Sequence, residues 1–213
     1  MCRSICTFLC VMFVITATAQ KRFSEGTVVY SIQITNTEKH IQSSSECTQL
    51  IKGAHYRDDL ISSIGKSTTI FDMREGTGAI LKEYGGQKIM IPIVSEQWEQ
   101  KIKRVSSISF KNTPDKKNIL GYTCEKAESV LEDGSTVYVF FTKDLVSENQ
   151  DMDLQFPQLG GFALEFTSVK QGTTIVYTAS SLNFDPVPIQ RFDIPNAGYR
   201  ILSFEESRKM NRN

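Results

Sequence analysis

Between residues 26 and 36 the chain reads GTVVYSIQITN, with Val28, Tyr30, Ile32 and Ile34 at every second position and Ser31, Gln33 and Thr35 between them. An extended strand sends alternate side chains to opposite faces, so the pattern commits this segment to a half-buried strand. The same period returns along the chain, punctuated by glycine-bearing turns. Segments 68–73 and 79–84 flank Arg74-Glu75-Gly76-Thr77-Gly78, and 79–84 and 88–93 flank Gly85-Gly86. Segments 124–131 and 136–142 flank Asp133-Gly134, and 162–169 and 173–182 flank Gln171-Gly172. Glycine supplies the positive φ of tight hairpins, and Asp-Gly is a strong hairpin signal. Segments 47–51 and 56–61 read as further strands on either side of Gly53.

Helical periodicity is rare. Residues 95–105, SEQWEQKIKRV, place Trp98, Ile102 and Val105 on one face, with Ser95 as the expected cap. Lys101, Lys103 and Arg104 complement the negative C-terminal end of that helix. Residues 204–210 predict a short terminal helix, with Ser203 and Glu206 as its capping box. The polar stretches 37–46 and 111–117 read as solvated loops, the second around Pro114, and Asp185-Pro186-Val187-Pro188 as a stiff connector. The sum of roughly ten strands and two helices predicts a mainly β (α+β) fold. Its form is a strongly curved antiparallel sheet or open half-barrel, with one amphipathic helix and a short C-terminal helix.

The first nineteen residues follow another rule. They carry one cation, Arg3, no acid, an apolar run from Ile5 to Ile15, and then Ala17-Thr18-Ala19. Such a charged start, apolar middle and small-residue end predicts a secretory signal peptide cleaved after Ala19. The uncharged stretch from Ser4 to Gln20 is 17 residues, short of the about 20 that a membrane span needs. The expected organisation is therefore a signal peptide, 1–19, and a single β-rich domain, 20–213, periplasmic or secreted and without a transmembrane anchor. The whole chain balances 24 Lys and Arg against 24 Asp and Glu, and losing Arg3 leaves 23 against 24. That near-neutrality gives no general attraction for nucleic acid.

Of five cysteines, Cys47 and Cys124 remain after processing. In an oxidising compartment they form either a disulfide, worth about 4 kcal/mol in the chain-entropy model, or two buried thiols. With His40 and His55 far apart in sequence, they make no zinc spacing. Neither histidine sits in a nucleophile motif, and both read as structural or exposed. Asp58-Asp59 and Asp151-Met152-Asp153 are the closest acidic pairs, without the glycine turn of a calcium loop, and read as solvated. Gly-x-Ser-x-Gly and His-Glu-x-x-His are both absent from the sequence. The expectation is a protein that is not an enzyme and uses no cofactor.

Aromatic residues crowd the second half: Tyr138, Phe140, Phe141, Phe156, Phe162, Phe166, Phe184, Phe192 and Phe204. They either fill a core or line a concavity for an apolar ligand.

Ile119-Leu120-Gly121-Tyr122-Thr123-Cys124-Glu125-Lys126-Ala127 resembles the I-L-G-Y-x-C-x-K-A block of the secreted bacterial GLPGLI family. Leu159-Gly160-Gly161-Phe162-Ala163-Leu164 lies where that family carries L-P-G-L-I-L, with Gly160 in place of proline and Phe162-Ala163 in place of Leu-Ile. Phe23, Gly26-Thr27-Val28, Tyr30, Ile70-Phe71-Asp72, Phe192-Asp193-Ile194-Pro195 and Gly198-Tyr199 resemble a related family of exported domains. The resemblance implies a fold similar to the periplasmic lipoprotein carrier LolA, an unclosed barrel whose cavity takes acyl chains. It carries over no catalytic residues.

The function expected from these readings is binding of an apolar ligand, a lipid or lipidated protein, in the concave face of the sheet. Trp98, Phe140, Phe162, Leu164 and Phe166 are the candidate ligand-binding residues. The alternative is an envelope protein–protein interaction module with a filled core, using loops 37–46 and 144–158.

Overall fold

The computed structural model describes residues 20–36, 38, 40–149 and 156–210. The expected signal peptide, Asp151 and Asp153 lie outside them. A short strand β1 (Lys21–Phe23) leads into six strands that run up and down in succession. These are β2 (Glu25–Asn36), β3 (Ile41–Lys52), β4 (His55–Ser62), β5 (Gly65–Asp72), β6 (Thr77–Tyr84) and β7 (Gln87–Val94), each antiparallel to the next. Helix α1 (Ser95–Ser106) follows, then β8 (Lys111–Ile119), β9 (Tyr122–Val130), β10 (Thr136–Thr142) and β11 (Leu145–Ser147). Strands β12 (Phe162–Lys170) and β13 (Thr173–Asn183) complete the second meander, and the chain ends with β14 (Arg200–Ile201) and α2 (Phe204–Met210).

The second meander returns to the first because β13 pairs antiparallel with β2. One sheet of twelve strands results, in the order β14-β7-β6-β5-β4-β3-β2-β13-β12-β10-β9-β8, while β1 and β11 form a separate parallel pair. The sheet is open and strongly curved, not closed into a barrel, as the sequence led us to expect. Its curvature follows from the route of the chain. β7 and β8 stand ten strand spacings apart, about 48 Å on a flat sheet. The twelve residues of α1 reach only about 18 Å, and the four residues 107–110 add at most about 14 Å. The connection spans that separation only because the sheet curls around the helix. Bulges between Phe140 and Phe141 and between Ala179 and Ser181 add local bending.

The inner face is the principal core. Ile32, Tyr177, Phe166, Val139 and Ala127 stand opposite one another in register across five strands. Trp98 of α1 packs into the same apolar cluster. On the outer face Leu50, Ile70, Ala79, Leu81 and Met90 are covered by Val187 and Phe192, with Tyr199 beside them. The segment 184–199 therefore acts as a strap. Arg57 fastens it, donating from Nη1 to the Arg191 carbonyl at 2.7 Å. The same guanidinium grips Asp59 through Nε at 2.9 Å and Nη2 at 3.0 Å, and Thr68 donates to Asp59 at 2.6 Å. Burial pushes the Asp59 carboxyl up, but the hydrogen bonds from Arg57 and Thr68 outweigh it and hold the group below its ordinary value.

Several loop expectations are corrected. Most of 37–46 is strand, since β3 begins at Ile41 and Ser43, Ser44 and Ser45 pair with Ile34, Gln33 and Ile32. A serine run extends when its partner strand supplies the hydrogen bonds. Segment 111–117 is likewise strand, β8, at the sheet edge, where Pro114 needs no partner for the N–H it lacks. Both helices lie where expected, but Ser95 is not the cap of α1. The Val94 N–H donates to Gln97 Oε1 at 2.9 Å instead, and the Ser95 hydroxyl turns to the Gly76 carbonyl. At α2 the expected capping box forms, with the Ser203 N–H on Glu206 Oε2 at 2.8 Å and the Glu206 N–H on Ser203 Oγ at 3.2 Å.

A Cβ at Gly78 would sit 2.2 Å from the Ile70 carbonyl oxygen and 2.6 Å from the Phe71 ring. Gly78→Ala is expected to lower stability by about 1–3 kcal/mol, read as a lower urea midpoint at unchanged slope. Because its folded pKa is depressed, Asp59 stabilises the fold above its unfolded pKa and loses that contribution as pH falls through the folded one. Asp59→Asn should therefore be less stable than the parent at neutral pH. The gap should close on acidification, as followed by urea unfolding at a series of pH values.

Candidate functional site

Trp98 docks α1 onto the sheet. Its indole stacks on Phe71 with centroids 4.5 Å apart and planes 9° from parallel, and it meets Tyr56 at 5.4 Å. Trp98, Ile102 and Val105 all pack against the core, as their spacing predicts. The far end of the helix is held by Gln158, whose Nε2 donates to the carbonyls of Val105 and Ile108 at 3.0 Å each. The Val105 carbonyl also accepts the Ile108 N–H at 3.3 Å, so Gln158 adds a tie from another segment to a helix end that the backbone has begun to close.

The helix leaves open space on both flanks. On one side Phe71, Met73, Trp98, Glu99, Ile102 and Lys103 help line a groove of about 300 Å³. On the other a larger groove of about 410 Å³ runs between the helix and the inner face. Its walls are Ile80, Ile93, Trp98, Val105 and Phe204, with Thr69, Gln97, Lys101 and Arg104 as the polar members. Arg104 and Phe204 also line an adjoining cavity of about 610 Å³ with Gln100, Lys103, Ser107 and Arg208. The larger groove falls within the range of small-molecule sites, about 300–1,000 Å³. Two short helices from distant parts of the chain build it, α2 contributing Phe204 here and Arg208 to the adjoining cavity. Sequence reasoning read Lys101, Lys103 and Arg104 only as partners of the helix dipole and did not single out Arg208. Cations in the last turns of both helices were the available signal.

Of the five candidate ligand residues, Trp98 lines these grooves and the other four do not. Phe162, Leu164 and Phe166 are buried in the core. Phe162 packs edge-on against Phe23 at 5.3 Å. Phe166 stacks on Tyr177 at 4.3 Å and contacts Tyr30 and Phe156. Phe140 stands opposite Glu165 in register while its neighbour Val139 stands opposite Phe166, so it projects to the other side of the strand. There Lys117 lies 5.5 Å from its ring and pairs with Glu165 at 2.6 Å. Phe162 and Phe166 thus fill core space, and of the second-half aromatic residues Phe204 walls the groove beside the helix flank.

Cys47 and Cys124 are buried thiols without a disulfide, which corrects the bridged alternative. They lie on β3 and β9, with β2, β13, β12 and β10 between them. Five strand spacings are about 24 Å along the sheet, far beyond the about 7 Å that a disulfide spans. Cys47 instead donates to Asp58 at 3.4 Å, and Tyr56 donates to the same carboxylate at 3.3 Å while accepting from Gln49 at 3.2 Å. Asp58 and Asp59 are therefore buried on opposite faces of β4, neither solvated nor paired with each other. His40 is exposed at the β2–β3 turn. His55 Nδ1 lies 3.2 Å from Asp72 and its ring 5.5 Å from that of Phe192 beneath the strap. Among the described residues no three His, Cys, Asp or Glu side chains gather to hold a metal ion.

No protein-family model and no curated protein matches the chain. Among solved structures it is similar to PNGF-II, at 16% identity and a TM-score of 0.50, over 87% of this chain and 32% of PNGF-II. The chain thus spans about a third of that protein's length, and the likeness is one of fold. An uncharacterized conserved protein from Thermus thermophilus aligns at 6% identity and a TM-score of 0.48, over 82% of this chain and 90% of its own. The Mycobacterium tuberculosis lipoprotein LppX aligns at 10% identity and a TM-score of 0.40, over 76% of this chain and 88% of its own. Among the described residues no helix is long and apolar enough to cross a membrane.

Burial first, and the Glu165 carboxylate second, push the Cys124 thiol up to about 11. Both thiols are also buried, so both cysteines should resist alkylation at about pH 8 in the folded protein. Both should be labelled once it is denatured. Peptide mapping by mass spectrometry checks this, and a linked peptide joining Cys47 to Cys124 would contradict it.

Proposed function

We propose that this chain is an exported, non-enzymatic envelope domain that holds an apolar ligand, a lipid or the lipid of a lipidated protein. The seat is the groove between α1 and the inner face of the sheet. The observation that carries this reading is the groove of about 410 Å³ walled by Ile80, Ile93, Trp98, Val105 and Phe204. Apolar surface left open beside a well-filled core is costly unless something covers it. The signal-like residues 1–19 support export to the periplasm or beyond, and the block 119–127 supports kinship with the GLPGLI family.

A second reading, an envelope interaction module, draws support from another place. Ile61 and Ile64 are exposed at the β4–β5 turn, and Tyr84 is exposed beside them at the β6–β7 turn.

Trp98 is the one tryptophan in the sequence and lines the groove, so it reports occupancy directly. A bromine-substituted fatty acid is expected to quench its emission saturably, with a matching adduct in native mass spectrometry. Val105→Glu, which places a charge on the groove wall, should weaken that binding by about tenfold or more while the protein remains folded by circular dichroism. Unquenched Trp98 emission and no co-purified lipid would overturn the ligand-binding reading.

A further inference from the structure

We propose that the occupant of this groove is an anionic amphiphile. Its chain lies against Ile80, Ile93 and Phe204, and its charged head is held by Lys103, Arg104 and Arg208. The inference rests on the ligand-binding reading above and specifies what that ligand must carry.

Three observations lead to it. The apolar groove and the adjoining cavity share Arg104 and Phe204, so an apolar compartment opens into a basic one. Among the described residues no carboxylate lines either compartment, although acidic and basic residues are equal in number over the chain. Lys103, Arg104 and Arg208 gather on that one cavity and make no ion pair with a described carboxylate, and Arg104 spends only its Nε on the Gln100 carbonyl at 3.3 Å.

Helix dipoles account for only part of this charge. The C-terminal ends of α1 and α2 each present about half a negative charge, together about one. Three cations exceed that by roughly two charges. Guanidinium groups offer paired N–H donors that match the oxygens of a carboxylate or a phosphate. A head group of either kind, continuous with an acyl chain, satisfies both compartments at once, whereas a neutral lipid satisfies only the first.

The test measures Trp98 quenching by two bromine-substituted chains of equal length, a fatty acid and the corresponding fatty alcohol. The acid is expected to bind about tenfold tighter or more, and added salt should weaken the acid but not the alcohol. Replacing Lys103→Gln, Arg104→Gln and Arg208→Gln together should remove the preference and leave alcohol binding within about twofold. Arg208→Glu alone, on the exposed end of α2, should reduce the preference in the same direction. Competition by lysophosphatidylglycerol separates the two sources of the head, displacing the probe more strongly than fatty acid if the site suits phosphate and less strongly if it suits carboxylate. Equal binding of acid and alcohol by the parent protein, or equal losses for both in the triple variant, would overturn the anionic head and leave the groove reading standing. Quenching by neither would overturn the groove reading and this one with it.

Discussion

The fold depends on a connection that is too short for a flat sheet. The chain must pass from β7 to β8, at opposite ends of the strand order, through one helix and four residues. Only a curled sheet brings those ends within reach, and the helix is then trapped inside the curve. Its contact with the sheet is concentrated at Trp98, stacked on Phe71 and leaning on Tyr56. That broad ring, with Ile102 and Val105 beside it, seats the helix on the core. The flanks, where side chains are narrower, do not close. The groove is thus a by-product of how the sheet is bridged.

What the sequence revealed was local. Alternation in β2, the glycine turns, the face of α1 and the Ser203–Glu206 box each depend on residues a few positions apart, and each appears in the structure. What it hid was set by neighbours distant in the chain. Ser43, Ser44 and Ser45 become strand because β2 offers them partners, and Pro114 is tolerated because β8 has a neighbour on one side only. The strand order, which separates Cys47 from Cys124, arises from the return of β13 to β2, and no feature of spacing encodes that return.

The candidate site was legible only in part, for a related reason. Aromatic content points to apolar volume without saying whether that volume is filled, and here Phe162 and Phe166 consume it. Trp98 was found because it belongs to a periodic face. Ile80, Ile93 and Phe204 come from three elements that meet only in space. The Asp58-Asp59 pair was misread because adjacent strand residues face opposite ways. One joins the buried row beneath α1 and the other anchors the strap, so two neighbouring carboxylates serve two separate layers.

The margins of the sheet carry a consequence of their own. An open sheet leaves lateral edges whose unpaired amides can template growth by further strands. Here β14 is only two residues long, and β8 bulges between Asn112 and Lys116 around a proline, with lysines along its length. β14 pairs with Ile89 and Met90 alone, and Pro92, which has no N–H, interrupts the rest of β7, so neither margin offers a long unbroken row of donors. The molecule can remain unclosed, with its interior reachable from the side, without that openness becoming an invitation to polymerise.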